Sequence, residues 1–219
     1  MLKLGNVFIL GDSYSTFEDE IPNGYDTWYY HAMSTPTDVA TADQTWWKRL
    51  LSCTDSRLVL NESFSGTTIC HTGYNGTDCS DRSFVTRFDR LVADGYFQKN
   101  QVDTVFIFGG TNDNWANSPL GERKYADWQT EDLYSFLPAV CYLVNKVKTT
   151  LPNARVIYII NTALKPEIVE GIHAACEVFG AEVVQLHDLS TQAGHPNQKG
   201  MIQIKDQILS HLKRSNIEE

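Results

Sequence analysis

Two stretches, VDTVFIF at Val102–Phe108 and RVIYII at Arg155–Ile160, are apolar almost without interruption. A short apolar run rich in β-branched residues fits a strand covered on both faces, and such strands belong to parallel sheets. Three further runs, Val7–Leu10, Leu58–Leu60 and Glu182–Leu186, read as strands of the same sheet. Helical patterns lie between them. Gln44–Cys53 carries Trp46, Trp47, Leu50 and Leu51 at helical spacing. Glu131–Thr150 opens with two acids, suited to the helix dipole, and closes on Lys146, Lys148 and then Pro152. Pro166–Phe179 stops at Gly180, a C-terminal cap, and a last helix runs from about Gln198 to Arg214.

Strands alternating with helices imply right-handed crossovers and parallel neighbours. The expected fold is therefore α/β, a three-layer, flavodoxin-like doubly wound fold with a five-stranded parallel sheet in the order 2-1-3-4-5. With 219 residues and no repeat, low-complexity tract or linker, residues 1–219 are read as a single domain. The exception to compactness is a long loop, 18–43, that holds Tyr25, Trp28, Tyr29 and Tyr30. Long loops in compact domains are mostly functional or disordered, and this density of aromatic rings fits a binding role.

Charge and cysteine usage exclude several classes. The net charge of -9 argues against nucleic acid, which needs clustered Lys and Arg. No stretch approaches the roughly 18 apolar residues of a membrane span, so no membrane partner is expected. No cleavage site follows the short apolar N-terminal run, so a cytoplasmic location is expected. Five scattered cysteines, an odd number, read as reduced thiols rather than a disulfide framework. Cys70, His71 and Cys79 lack the spacing of a metal site, and neither metal nor cofactor is expected.

In doubly wound sheets ligands sit beyond the carboxyl ends of the strands at the point where strand order reverses. The first strand runs into Gly11-Asp12-Ser13, the second into Asn61-Glu62-Ser63-Phe64-Ser65-Gly66, and the third into Gly109-Gly110-Thr111-Asn112-Asp113. His195-Pro196 precedes the last helix. A serine hydroxyl is a weak nucleophile until a base takes its proton, and His195 is the candidate base for Ser13. Acyl transfer also needs preorganised donors for an oxyanion. The N–H groups of Ser13 and Gly66 and the side-chain amide of Asn112 are candidates. Asp12 and Asp113 read as residues that shape their loops.

These blocks resemble those of the SGNH hydrolases, the GDSL-type esterases and lipases. Ser13 lies in a GDS block, Gly66 follows the second strand, Asn112 lies in Gly-Thr-Asn-Asp, and His195 precedes a proline. The order matches, and the blocks span residues 11–196. The resemblance implies Ser13 as nucleophile, His195 as base, and Ser13, Gly66 and Asn112 as the oxyanion hole. It also implies a carboxylic ester substrate, here a short-chain acyl (acetyl) ester, including esters of carbohydrates. There are two departures. Tyr14 replaces the usual leucine, and Gln192 occupies the position, three before the histidine, where the family commonly has an aspartate. A carboxylate there would orient the imidazole and stabilise the imidazolium. Asp188, seven residues before His195, is the candidate replacement; Gln192, Ser190 or a backbone carbonyl are the alternatives. Trp115, Trp28, Tyr29 and Tyr25 are the candidate substrate-binding residues. An acyltransferase, a non-catalytic carbohydrate-binding protein and a phosphate or flavin binder remain the rival readings.

Overall fold

The computed structural model describes residues 2–31 and 37–215, so residues 32–36 of the aromatic loop lie outside the described residues. Strand β1 (Lys3–Gly11) is followed by a single 3-10 turn at Ser13–Ser15. Helix α1 (Trp46–Ser52) leads to β2 (Asp55–Ser63). Helices α2 (Phe84–Ala93) and α3 (Tyr96–Lys99) lead to β3 (Thr104–Phe108) and the short α4 (Thr111–Ala116). Then come α5 (Phe136–Thr150), β4 (Arg155–Ile160), α6 (Pro166–Phe179) and β5 (Glu182–Gln185). A two-residue hairpin, β6 (Thr191–Gln192) and β7 (His195–Pro196), precedes α7 (Gln198–Ser215).

The main sheet has the order β2-β1-β3-β4-β5 and every neighbouring pair is parallel. The sheet is the expected one, with helices on both faces. Period-two alternation sorts the strands between two cores. Phe8, Leu10, Val105, Ile107, Val156 and Tyr158 face α2, α5 and α6. Val7, Ile9, Phe106, Phe108, Ile157 and Ile159 face α1 and α7.

Local chemistry starts and stops the helices. Thr45 caps α1 by accepting from Lys48 N, and Ser83 caps α2 by accepting from Thr86 N. Pro166 opens α6, and Gly180, with φ 69°, closes it. The helix expected over Glu131–Thr150 is split. A 3-10 turn, Thr130–Tyr134, is separated from α5 by Ser135 in extended backbone. Pro138 supplies the reason, because a proline has no N–H to donate and its ring clashes with the preceding turn. Starting α5 at Phe136 leaves Pro138 in the first turn, where that donor is not needed.

Register brings the functional edge level. Gly11 pairs with Ser63 on β2 and with Phe108 on β3. The segments that leave these three strands therefore emerge side by side at the carboxyl edge.

Candidate active site

Gly11 has to be small. A Cβ there would lie 2.4 Å from Ser63 Oγ and 2.8 Å from Ser15 Cβ. Asp12 is fully buried and its Oδ1 accepts from Tyr14 N at 3.0 Å, which bends the chain into the turn that carries Ser13. The Ser13 Oγ lies 2.9 Å from His195 Nε2. On the other side of the ring, Nδ1 is 3.2 Å from the Ala193 carbonyl oxygen. A carbonyl only accepts, so the proton sits on Nδ1. Nε2 is then the acceptor for the Ser13 hydroxyl, the arrangement a general base requires.

The hairpin makes this contact. Ala193 and Gly194 form the two-residue turn between β6 and β7, both with positive φ, at 47° and 78°. A two-residue hairpin with positive φ at both positions matches the right-handed twist of its strands. It turns the Ala193 carbonyl toward the ring that follows. Tyr14 Oη donates to Gly194 O at 2.6 Å, and Tyr29 Oη donates to Pro196 O at 2.8 Å. Two tyrosines from the N-terminal part of the chain thus clamp the C-terminal histidine onto Ser13.

None of the three side chains expected to hold His195 reaches it. Asp188 Oδ2 lies 3.1 Å from His187 Nδ1, and the Asp188 side chain is 93% exposed. Its backbone carbonyl accepts from Gln203 Nε2, which ties this segment to α7 instead of the site. Gln192 pairs with His195 across the hairpin, but its Oε1 accepts from Asp38 N. Ser190 Oγ accepts from Asn197 Nδ2. Of the alternatives, the structure places the backbone carbonyl on Nδ1.

Rings surround the imidazole. Trp28 stacks on it with centroids 3.6 Å apart and planes 11° from parallel. Tyr14 lies 5.2 Å away in a tilted arrangement and Trp115 5.8 Å away, edge-on. Burial among them lowers the His195 pKa to about 4, the hydrogen bond to Ala193 working weakly the other way.

The oxyanion candidates sit together. Asn112 Nδ2 donates to Thr67 O at 3.0 Å, the residue after Gly66, and is 3.4 Å from Asp12 Oδ2. The second contact is long for a hydrogen bond, so that N–H is loosely held. Gly66 is exposed with φ 77°, a conformation that disfavours any side chain. Among the described residues no acceptor takes its N–H. Asn112 Oδ1 accepts from Tyr74 Oη at 2.7 Å, which fixes which end of the amide faces Thr67 and Asp12. Asp113 accepts from Ile69 N and Cys70 N and so ties the same loop to α4, in line with a loop-shaping role.

Arg87 supports this edge from behind. It is 1% exposed and donates to the carbonyls of Glu62, Gly11 and Arg82 and to Thr67 Oγ1. Burial lowers its pKa to about 10, with Glu62 as the largest opposing influence. Nothing in the residue pattern singles out Arg87 or Tyr74, because neither belongs to a motif and both partner with groups far away in sequence.

The expected substrate-binding rings divide. Trp115 is 46% exposed beside His195. Tyr29 is completely enclosed and anchors the Pro196 carbonyl, so it cannot touch a substrate. Tyr25 stacks on Phe64 at 4.5 Å and donates to Glu62 Oε1, which packs its loop beside Gly66. Trp28 faces His195. No group of three or more His, Cys, Asp or Glu that could hold a metal is found among the described residues. Nor is any described helix long and apolar enough to cross a membrane.

A family model described as GDSL-like Lipase/Acylhydrolase matches residues 5–212. Two solved structures described as GDSL-like lipases are similar along nearly the whole chain. One, from Bacteroides ovatus, is 44% identical with a TM-score of 0.90, covering 98% of this chain and 99% of that one. The other, from Bacteroides uniformis, is 40% identical with a TM-score of 0.88, covering 95% of each. An acetyl xylan esterase from Butyrivibrio proteoclasticus shares the fold at 16% identity and a TM-score of 0.60, covering 98% of this chain and 65% of that one. No curated protein matches the chain.

Proposed function

Because the chain belongs to the GDSL-like lipase/acylhydrolase family, we propose that it is a serine ester hydrolase that works through an acyl-enzyme on short-chain acyl esters, acetyl esters of carbohydrates among them. The observation that carries this reading is the 2.9 Å contact between Ser13 Oγ and His195 Nε2, with the imidazole proton held on the opposite nitrogen.

The steps follow from that geometry. As Ser13 Oγ bonds to the ester carbon, its proton moves to His195 Nε2 and the carbonyl π electrons move to oxygen. The resulting oxyanion is received by the N–H groups of Ser13 and Gly66 and the Asn112 amide. When the tetrahedral species collapses, the C–O bond to the alcohol breaks and the alcohol leaves with the proton from Nε2. Water then repeats the sequence: His195 takes its proton, the oxygen bonds to the acyl carbon, and Ser13 is released with its proton restored.

A polyhydroxy alcohol suits the rim. Trp115 and Tyr74 are 46% and 40% exposed and flank the reacting groups, Trp115 beside His195 and Tyr74 on Asn112. Exposed rings of this kind offer a sugar a stacking face. The same fold carries an acetyl xylan esterase, so it accommodates that class of substrate.

Hydrolysis of p-nitrophenyl acetate and of acetylated xylo-oligosaccharides tests the reading. Ser13→Ala is expected to abolish both while the melting temperature holds, and retained activity would sink the proposal. That no carboxylate among the described residues meets His195 favours one second reading, a carbohydrate-binding protein without catalysis. A fluorophosphonate probe separates the two, since an inert site leaves Ser13 unlabelled.

A further inference from the structure

A buried imidazole that must become an imidazolium during turnover needs something to stabilise the positive charge. Among the described residues no carboxylate hydrogen-bonds to His195. The Ala193 carbonyl holds the Nδ1 proton but carries no net charge. What does cover the ring is the indole of Trp28, face to face at 3.6 Å and 11°. The negative face of an indole attracts a cation placed over it, and the attraction grows when water is excluded. We propose that Trp28 is the positioning residue for the base, standing where a carboxylate would otherwise act: its face holds the imidazole in plane with Ser13 and stabilises the imidazolium.

The surroundings support that assignment over a substrate wall. Trp28 is half-buried, its backbone N–H donates to Thr16 Oγ1, and it packs against the core layer that holds Tyr14 and Tyr29. One face of its ring is occupied by His195, whereas Trp115 and Tyr74 offer the exposed surfaces. The segment is pinned to the site at three places. Glu18 N donates to Tyr29 O, Ser65 N donates to Asp26 O, and Tyr29 Oη donates to Pro196 O. The aromatic loop is therefore braced against both the Gly66 turn and the histidine.

The other titratable groups packed around His195 do not supply the charge. Tyr14 and Tyr29 have pKa values raised by burial and stay neutral. Asp12, below Ser13, has its carboxyl directed to Tyr14 N and Asn112 instead of to the ring. Asp38 accepts from Gln198 N at the start of α7.

The inference rests on the esterase reading, so its test has one arm that needs no turnover. That arm is an NMR titration of the His195 ring in wild type, Trp28→Leu and Trp28→Phe. Leucine keeps apolar cover without a π face and is expected to lower the midpoint by about one unit, the size of a desolvated cation–π contact. Phenylalanine keeps a weaker face and is expected to lower it by about half as much. The second arm is ester hydrolysis. Trp28→Leu is expected to reduce kcat about tenfold with KM within twofold, and Trp28→Phe to reduce kcat about threefold. A midpoint that stays put or rises in both variants would overturn the proposal, because Trp28 would then be only a shield against water. A raised KM with unchanged kcat would also overturn it and return Trp28 to the substrate. Melting curves identify a variant that does not fold, in which case Trp28→Phe decides alone. If wild type hydrolyses no ester, the function reading fails while the titration still decides the stack.

Discussion

The Nδ1 proton of His195 goes to a backbone carbonyl, and a carbonyl differs from a carboxylate in carrying a dipole but no net charge. It sets the tautomer as well as a carboxylate does, so the resting geometry at Ser13 is complete without an acid. This makes the nearby acid dispensable. Asp188→Asn is expected to leave kcat/KM within twofold of wild type, because that side chain faces His187 and solvent. A fall of a hundredfold would show that the 188–195 segment rearranges when substrate binds. Tyr74 is the opposite case, a residue outside every motif whose hydroxyl meets Asn112 Oδ1. Removing that hydroxyl frees the amide to rotate away from the position proposed for the oxyanion. A hydrogen bond of this kind contributes about 1 kcal/mol, so Tyr74→Phe is expected to lower kcat roughly 3- to 10-fold with little change in KM. An effect confined to KM would instead make Tyr74 a pure sugar platform. Ser13, Gly66, Asn112 and His195 are all legible because each follows a recognisable strand or precedes a helix with its own short pattern. What holds His195 is a main-chain oxygen, which no residue letter encodes.

At the level of elements, the strands were legible and the small connectors were not. Runs such as TVFIF and RVIYII announce themselves because both faces of the central strands are covered. The β6–β7 hairpin has two residues per strand, too few to show any period, and Ala-Gly is not among the strong turn dipeptides. Helix α2 also escaped, although its Phe84, Val85 and Phe88 fall on one face, because Arg87 beside them reads as a solvent residue. Yet Arg87 is what joins α2 to the site. Its guanidinium meets the carbonyls of Gly11 and Glu62, at or next to the ends of β1 and β2, and the hydroxyl of Thr67 beside Gly66. A lysine has one ammonium and no fork, so it cannot serve three acceptors in that plane. Arg87→Lys is expected to destabilise the protein by about 2–3 kcal/mol, since buried acceptors lose their partners. Arg87→Met, which leaves all of them bare, is expected to cost more, about 3–5 kcal/mol. Urea unfolding of the three proteins checks the order. A wild-type-like midpoint for Arg87→Met would mean that the strand ends are held by the sheet alone.

For the molecule as a whole, the buried titratable groups pull stability in opposite directions with pH, and their windows decide which one is seen. Burial raises Asp12 to about 7 and Asp113 to about 6, against backbone N–H groups that lower both. A carboxyl raised in the folded chain keeps its proton where the unfolded chain has released it. Stability from these two is therefore greatest toward the acid side and is lost as pH rises through about 6 and then 7. His195, lowered to about 4, behaves oppositely: the unfolded chain binds a proton between about 4 and 6.5 that the folded chain refuses. Its contribution rises across that window and levels off about one unit above 6.5. Between pH 6 and 8 the imidazole still adds the last part of its contribution, but Asp12 and Asp113 together lose more as they release their protons, so the melting temperature is expected to fall. The net charge of -9 works in the same direction through self-repulsion, which means the fall alone does not identify its source. Asp12→Asn separates the two causes. The amide keeps an oxygen for Tyr14 N, removes one titration and leaves the rest of the surface charge in place. If buried Asp12 is the cause, the melting temperature of Asp12→Asn no longer falls between pH 6 and 8. If the variant falls as steeply as wild type, surface repulsion is responsible and Asp12 ionises without consequence. Activity is expected to follow a different curve. The base is already free above about pH 4, so kcat/KM for p-nitrophenyl acetate keeps at least half its pH 7 value at pH 5, where an unperturbed histidine would have lost most of it.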